Sequence, residues 1–140
     1  MRIARMLVPI PLALLLAACT QAPVRDSGAS ASNAEKPRPT TADYRRYSKG
    51  DVRAFSSASV TDWDAPDPTH VVVWTSPAEA YLLTLFGACF GLEHASTILL
   101  SADGGVVRPG AAAVMIGGER CAIQFVDRLD ARAIKADRLH

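Results

Sequence analysis

Two neighbouring runs, His70 to Thr75 and Glu79 to Phe86, restrict the possible folds of this chain more than any other feature. The first, His-Val-Val-Val-Trp-Thr, is β-branched and aromatic almost throughout, the composition of a strand. In the second, Tyr81, Leu83 and Leu85 fall on one face, and Leu82, Thr84 and Phe86 fall on the other. Both faces are mainly apolar, which predicts an interior strand covered on two sides. Leucine also favours helix. However, Ser76-Pro77-Ala78 is a connection of hairpin length leading back to a clear strand, so a β-hairpin is expected.

Weaker strand signals surround this pair. Val52 to Val60 alternates loosely, and Thr97 to Ser101 is a brief strand closed by the turn Asp103-Gly104-Gly105. Ala112 to Ile116 and Glu119 to Val126 flank Gly117-Gly118, a two-residue loop suited to positive φ at both positions. In the last strand Cys121, Ile123 and Phe125 are expected to share the buried face. Trp63-Asp64-Ala65-Pro66-Asp67-Pro68 is expected to be a loop, because its two prolines donate no ladder hydrogen bond. The pattern predicts a mainly β fold over residues 43–130: a small antiparallel sheet or partly closed barrel of about five or six strands, with short helical segments. Tyr44 and Tyr47, three apart, suit one face of a short docking helix. Residues 131–140 read as a short exposed helix or a flexible tail.

The first 18 residues are of another kind. Arg2 and Arg5 precede Leu7 to Ala18, twelve uncharged and mostly apolar residues. A transmembrane helix needs about 20 such residues, so the run matches the core of a secretory signal. Its end, Leu16-Ala17-Ala18-Cys19, resembles the lipobox of bacterial lipoproteins. The resemblance implies cleavage before Cys19, a diacylglyceryl thioether on its sulfur, and a further acyl chain such as palmitate on its new amine. Several acyl chains hold far more firmly than one. Thr20, not Asp, follows the cysteine, which by the same resemblance implies outer-membrane placement facing the periplasm. Residues 19–42 then form the lipidated cysteine and a disordered linker, since nothing larger than Val24 is available for burial between Thr20 and Thr41.

Charge narrows the possible partners. Residues 51–126 carry three bases (Arg53, Arg108, Arg120) against eight acids, a formal −5. Such a domain has no basic surface for phosphates, and a nucleic-acid partner is not expected. Residues 19–50 carry six bases against three acids, where weak attraction to anionic lipid fits.

With Cys19 lipidated, Cys89 and Cys121 remain, and in an oxidising compartment an even pair reads as a disulfide. In the chain-entropy treatment a bridge over that loop contributes roughly 3.5–4 kcal/mol, which matters in a small domain. Two other uses of the thiols compete. Cys89 and His94, five apart, could form a nucleophile and base, or Cys89, His94, Cys121 and His70 could hold a metal. The first lacks a visible orienting group and the second lacks a close-spaced ligand pair, so no catalytic residue, metal or cofactor is expected. Asp62, Asp64 and Asp67 lack the glycine and glutamate of a calcium loop and read as turn formers. Trp63 and Trp74 are either core residues or a binding surface.

The ordered motifs Trp63, Val71-Val72-Val73, Tyr81-Leu82-Leu83-Thr84-Leu85, Cys89-Phe90-Gly91-Leu92 and Cys121-Ala122-Ile123 together resemble an uncharacterised family of small Gram-negative lipoproteins and exported proteins with a domain of unknown function. The resemblance spans about residues 45–130. It supports the cysteine pairing and the exported location, and it implies no activity. Ala111-Ala112-Ala113 stands where that family often has an aspartate. The expected role is a non-catalytic envelope module, held to the membrane through Cys19 and binding an envelope protein or component. A small thiol-dependent or redox enzyme and an inhibitor or immunity-type lipoprotein are the alternatives.

Overall fold

The computed structural model describes residues 36–137. The proposed leader (1–18), Cys19, the linker up to residue 35 and the last three residues of the tail lie outside the described residues. Nine short strands occur among the described residues: β1 (Ser48–Asp51), β2 (Phe55–Ser56), β3 (Asp62–Asp67), β4 (His70–Ser76), β5 (Glu79–Leu85), β6 (Leu99–Ser101), β7 (Val106–Val107), β8 (Ala113–Ile116) and β9 (Glu119–Asp130). Helix α1 (Thr41–Arg45) precedes them and α2 (Ala131–Ala136) follows. Single 3₁₀ turns stand at Ser57–Ser59 and Leu92–His94.

The fold is mainly β, a curled antiparallel half-barrel of six strands in the order β3-β4-β5-β9-β8-β6. This is the class that the strand pattern predicts. The long β9 is its spine. One side of β9 pairs with β5, while β8 takes Glu119–Ala122 on the other side and β1 takes the stretch around Asp127–Leu129. The Gly110 N–H donates to the Ile123 carbonyl (2.7 Å) and the Val52 N–H donates to the Val126 carbonyl (2.8 Å), continuing that side between the two partners.

Both faces of the sheet are packed. Inside the curl lie Val71, Val73, Leu83, Leu85, Val114, Ile123 and Val126. The β2–β7 ribbon closes over them with Phe55 and Val107, and the Phe55 ring stacks on Tyr81 at 4.4 Å. Outside, α1 and α2 cover Val72, Trp74, Ala80, Leu82 and Leu129 with Tyr44, Ala131 and Ile134. The expectation that β5 is covered on both faces therefore holds along Ala80–Leu85. Gly117 and Gly118 both take positive φ (54° and 95°), as the two-residue loop between β8 and β9 requires.

Five expectations need correction. Residues 62–67 form β3, not a loop. This strand ends the sheet path, and its register with β4 shifts between Asp64 and Asp67, where Pro66 forfeits no regular ladder bond. Phe125 is exposed and Val126 is buried, because a bulge at Gln124 reverses the alternation of β9. The strand itself runs on to Asp130, beyond the expected end at Val126. Finally, α2 is a packed helix with Ile134 fully buried, and α1 begins at Thr41, inside the stretch assigned to the linker.

Candidate functional site

Because β3 and β6 end the sheet path, the curl leaves an open groove between them. Val60, Thr61, Asp62 and Trp63 form one wall and Ser96 to Leu100 the other, around a space of about 530 Å³. Trp63 is half-buried: it packs against the inner core and lines the groove with the rest of its surface. Its neighbours mix hydroxyl, carboxylate and aliphatic groups, and exposed sheet edges can accept an added strand through backbone hydrogen bonds. The groove suits a polar, extended segment better than a compact apolar ligand.

Trp74 sits elsewhere. It lies on the outer face, 6% exposed, with its ring edge-on to Tyr44 at 6.1 Å and 69°. It borders a smaller cleft with Thr61, Pro77, Ala131 and Lys135. The two tryptophans therefore line separate surfaces and do not form one aromatic patch.

Cys89 and Cys121 are bonded to each other, with Cα atoms 5.8 Å apart, and both are buried. The bridge ties the irregular Gly87–His94 segment to the start of β9 inside the curl. Glu119 brings its carboxylate within 4.8 Å of both sulfurs. Sulfurs joined to each other offer neither a thiolate nucleophile nor thiolate metal ligands.

A polar cluster docks α1. Thr40 caps the helix reciprocally with Asp43: the Asp43 N–H donates to the Thr40 hydroxyl, and the Thr40 N–H donates to the Asp43 carboxylate. Tyr44 donates its hydroxyl to Asp64 Oδ2 at 2.7 Å. Burial pushes the Tyr44 hydroxyl well above the ordinary phenol range, and the Asp64 carboxylate adds to the shift. Asp67 accepts from the Thr41 and Thr69 hydroxyls, from the Thr69 N–H at 2.7 Å, and from His70 Nδ1 at 2.9 Å. Burial opposes ionisation of Asp67, but these hydrogen bonds outweigh it and hold the carboxyl below its usual range. Arg45 Nη2 lies 3.1 Å from His70 Nε2. A guanidinium only donates, so Nε2 accepts and the imidazole proton sits on Nδ1, facing Asp67. The resulting Asp67–His70–Arg45 line is closed on itself and acts as a clasp for the helix.

Sequence reasoning singled out Trp63 but not its groove partners Thr97, Ile98 and Leu100. Their proximity to β3 follows from the curl of six strands, and no local pattern encodes it. Phe86, Phe90, Leu99 and Phe125 were also missed as exposed groups, since each resembles a core residue by type.

A family model described as "Family of unknown function (DUF6491)" matches residues 2–140. No curated protein and no solved structure matches the chain.

Proposed function

Since the chain belongs to the DUF6491 family, whose function is unknown, we propose a role from its own residues: a non-catalytic envelope module, lipidated on Cys19 and tethered to a membrane, that binds a partner in the β3–β6 groove. The observation that carries this reading is the buried Cys89–Cys121 bond. Of the three cysteines in the chain, that bond accounts for two and leaves Cys19, at the end of the leader, for acylation. A disulfide in so small a domain suits an oxidising compartment outside the cytoplasm. It also weighs against a thiol enzyme. Outer-membrane placement facing the periplasm follows from Thr20 under the same proposal.

Two measurements test the role. Cells fed an alkyne-palmitate should label the wild-type chain and leave Cys19→Ser unlabelled; equal labelling of both would refute anchoring. A photocrosslinker at Thr97 should give one discrete adduct in intact cells, lost in Trp63→Ala. No adduct, or one indifferent to Trp63, would remove the groove from the proposal.

A further inference from the structure

Glu119 opens β9 and Cys121 follows two residues later, so both side chains leave the strand on the same face. Cys121 belongs to the inner core, and its sulfur is joined to that of Cys89. Glu119 stands at the rim, across the Gly117-Gly118 loop from Ile116, and is exposed. One of its carboxylate oxygens nevertheless lies within 4.8 Å of both sulfurs. No other carboxylate or imidazole of the described residues does so, although Glu93 and His94 come soon after Cys89 in the chain. Nor is the charge of Glu119 matched by a cation. Its neighbour Arg120 donates to the Ala111 carbonyl at 3.2 Å, and among the described residues Glu119 has no ion pair and no hydrogen bond.

A lone carboxylate in this position bears on how the bridge can be broken. In thiol exchange a thiolate bonds to one sulfur, the S–S bond breaks, and its electron pair leaves on the other sulfur as a thiolate. A second thiol then displaces the protein sulfur from the mixed disulfide. Overall two thiols are oxidised to a disulfide, and the bridge takes up their two electrons and two protons as a pair of cysteines. In the first step negative charge arrives at one sulfur and departs on the other. Glu119 is close to both, so it opposes attack from either end of the bond. At such a range a unit charge alters a charged encounter by roughly three- to fivefold in water, and by more where the dielectric is lower. Cys89 and Cys121 are only 1% and 8% exposed, which places the reacting atoms on the less watery side.

We infer that Glu119 is an electrostatic guard of the Cys89–Cys121 bond. It slows exchange with thiolates, most of all with those carrying a further negative charge, and so keeps the bridge a permanent link. The guard depends neither on acylation of Cys19 nor on an occupant of the β3–β6 groove.

The test uses the full chain, isolated from cells in a non-ionic detergent with the bridge intact. Wild type, Glu119→Gln, Glu119→Lys and Asp51→Asn are exposed at low ionic strength to three monothiols: cationic cysteamine, neutral 2-mercaptoethanol and anionic 2-mercaptoethanesulfonate. Alkylation and mass measurement follow loss of the bridge. Each rate is read as variant over wild type, which removes the reagents' own differences in nucleophilicity. Asp51, on β1 opposite Asp127 towards the far end of β9, removes the same unit of charge away from the bridge. For Glu119→Gln the expected ratio is about three- to tenfold with the sulfonate, falling through 2-mercaptoethanol to cysteamine. Glu119→Lys should give larger ratios in the same order, and Asp51→Asn ratios near one throughout. A substitution that merely loosened the fold would speed all three reagents by one factor, and that result at Glu119 overturns the guard. Ratios of one for Glu119→Gln and Glu119→Lys overturn it as well, as do ratios for Asp51→Asn that match those for Glu119→Gln.

Discussion

Thr84 lies directly across from Phe125, whereas Leu85, one residue further along β5, lies across from Ile123. One residue, Gln124, is skipped. The bulge lets β9 bury Cys121 and Ile123, reverse its parity, and bury Val126 next. It also turns Phe125 outward. Ile123→Ala should then cost about 2–5 kcal/mol, while Phe125→Ser should change stability by no more than about 0.5 kcal/mol. Urea unfolding of the two variants separates them, and equal losses would place Phe125 in the core.

The Cys89–Cys121 bond predicts no titratable thiol at these positions without reductant. Removing it by the double change to alanine should cost about 2–5 kcal/mol. A double variant as stable as the parent would show that the bridge contributes nothing to folding.

Acid should loosen the α1 clasp. Asp67 has a folded pKa below its ordinary value, so it contributes stability that is present above the unfolded value of roughly 4. That contribution is lost as pH falls from there through the folded value. Thr41→Val removes one of the donors that hold the carboxylate. Its unfolding free energy should therefore depend less steeply on pH below about 4 than the parent's. Parallel curves for the two proteins would assign the shift to other partners.

Helix α2 should behave as part of the core. Ile134→Ala is expected to cost about 2–5 kcal/mol. Ending the chain after Asp130 should shift tryptophan emission to the red, because Ala131 and Ile134 pack in the same cluster as Trp74. An unshifted spectrum would make the helix dispensable.

The hairpin from His70 to Leu85 was legible because its apolar pattern covers both faces of each strand, and the Gly117-Gly118 loop because glycine tolerates positive φ. β3 was not, since Pro66 and Pro68 suggest a loop until the strand is known to lie at an edge. The packed α2 was hidden for a similar reason: only Ala131 and Ile134 are apolar contacts, and their partners stand some 50 residues earlier at Trp74 and Leu82. For the candidate site, Trp63 carried a signal of its own, but the opposite wall depends on how far the sheet curls. The exposure of Phe86, Phe90, Leu99 and Phe125 was unreadable because each is a core residue by type.

The order of the strands also governs when this domain can form. β9 comes last in the chain yet touches β5, β8 and β1. Until residue 130 has emerged from the ribosome, the earlier hairpin and the β6–β8 pair have nothing between them. Strand pairing that waits for the last strand places assembly of the sheet late in synthesis, which would suit the export proposed above.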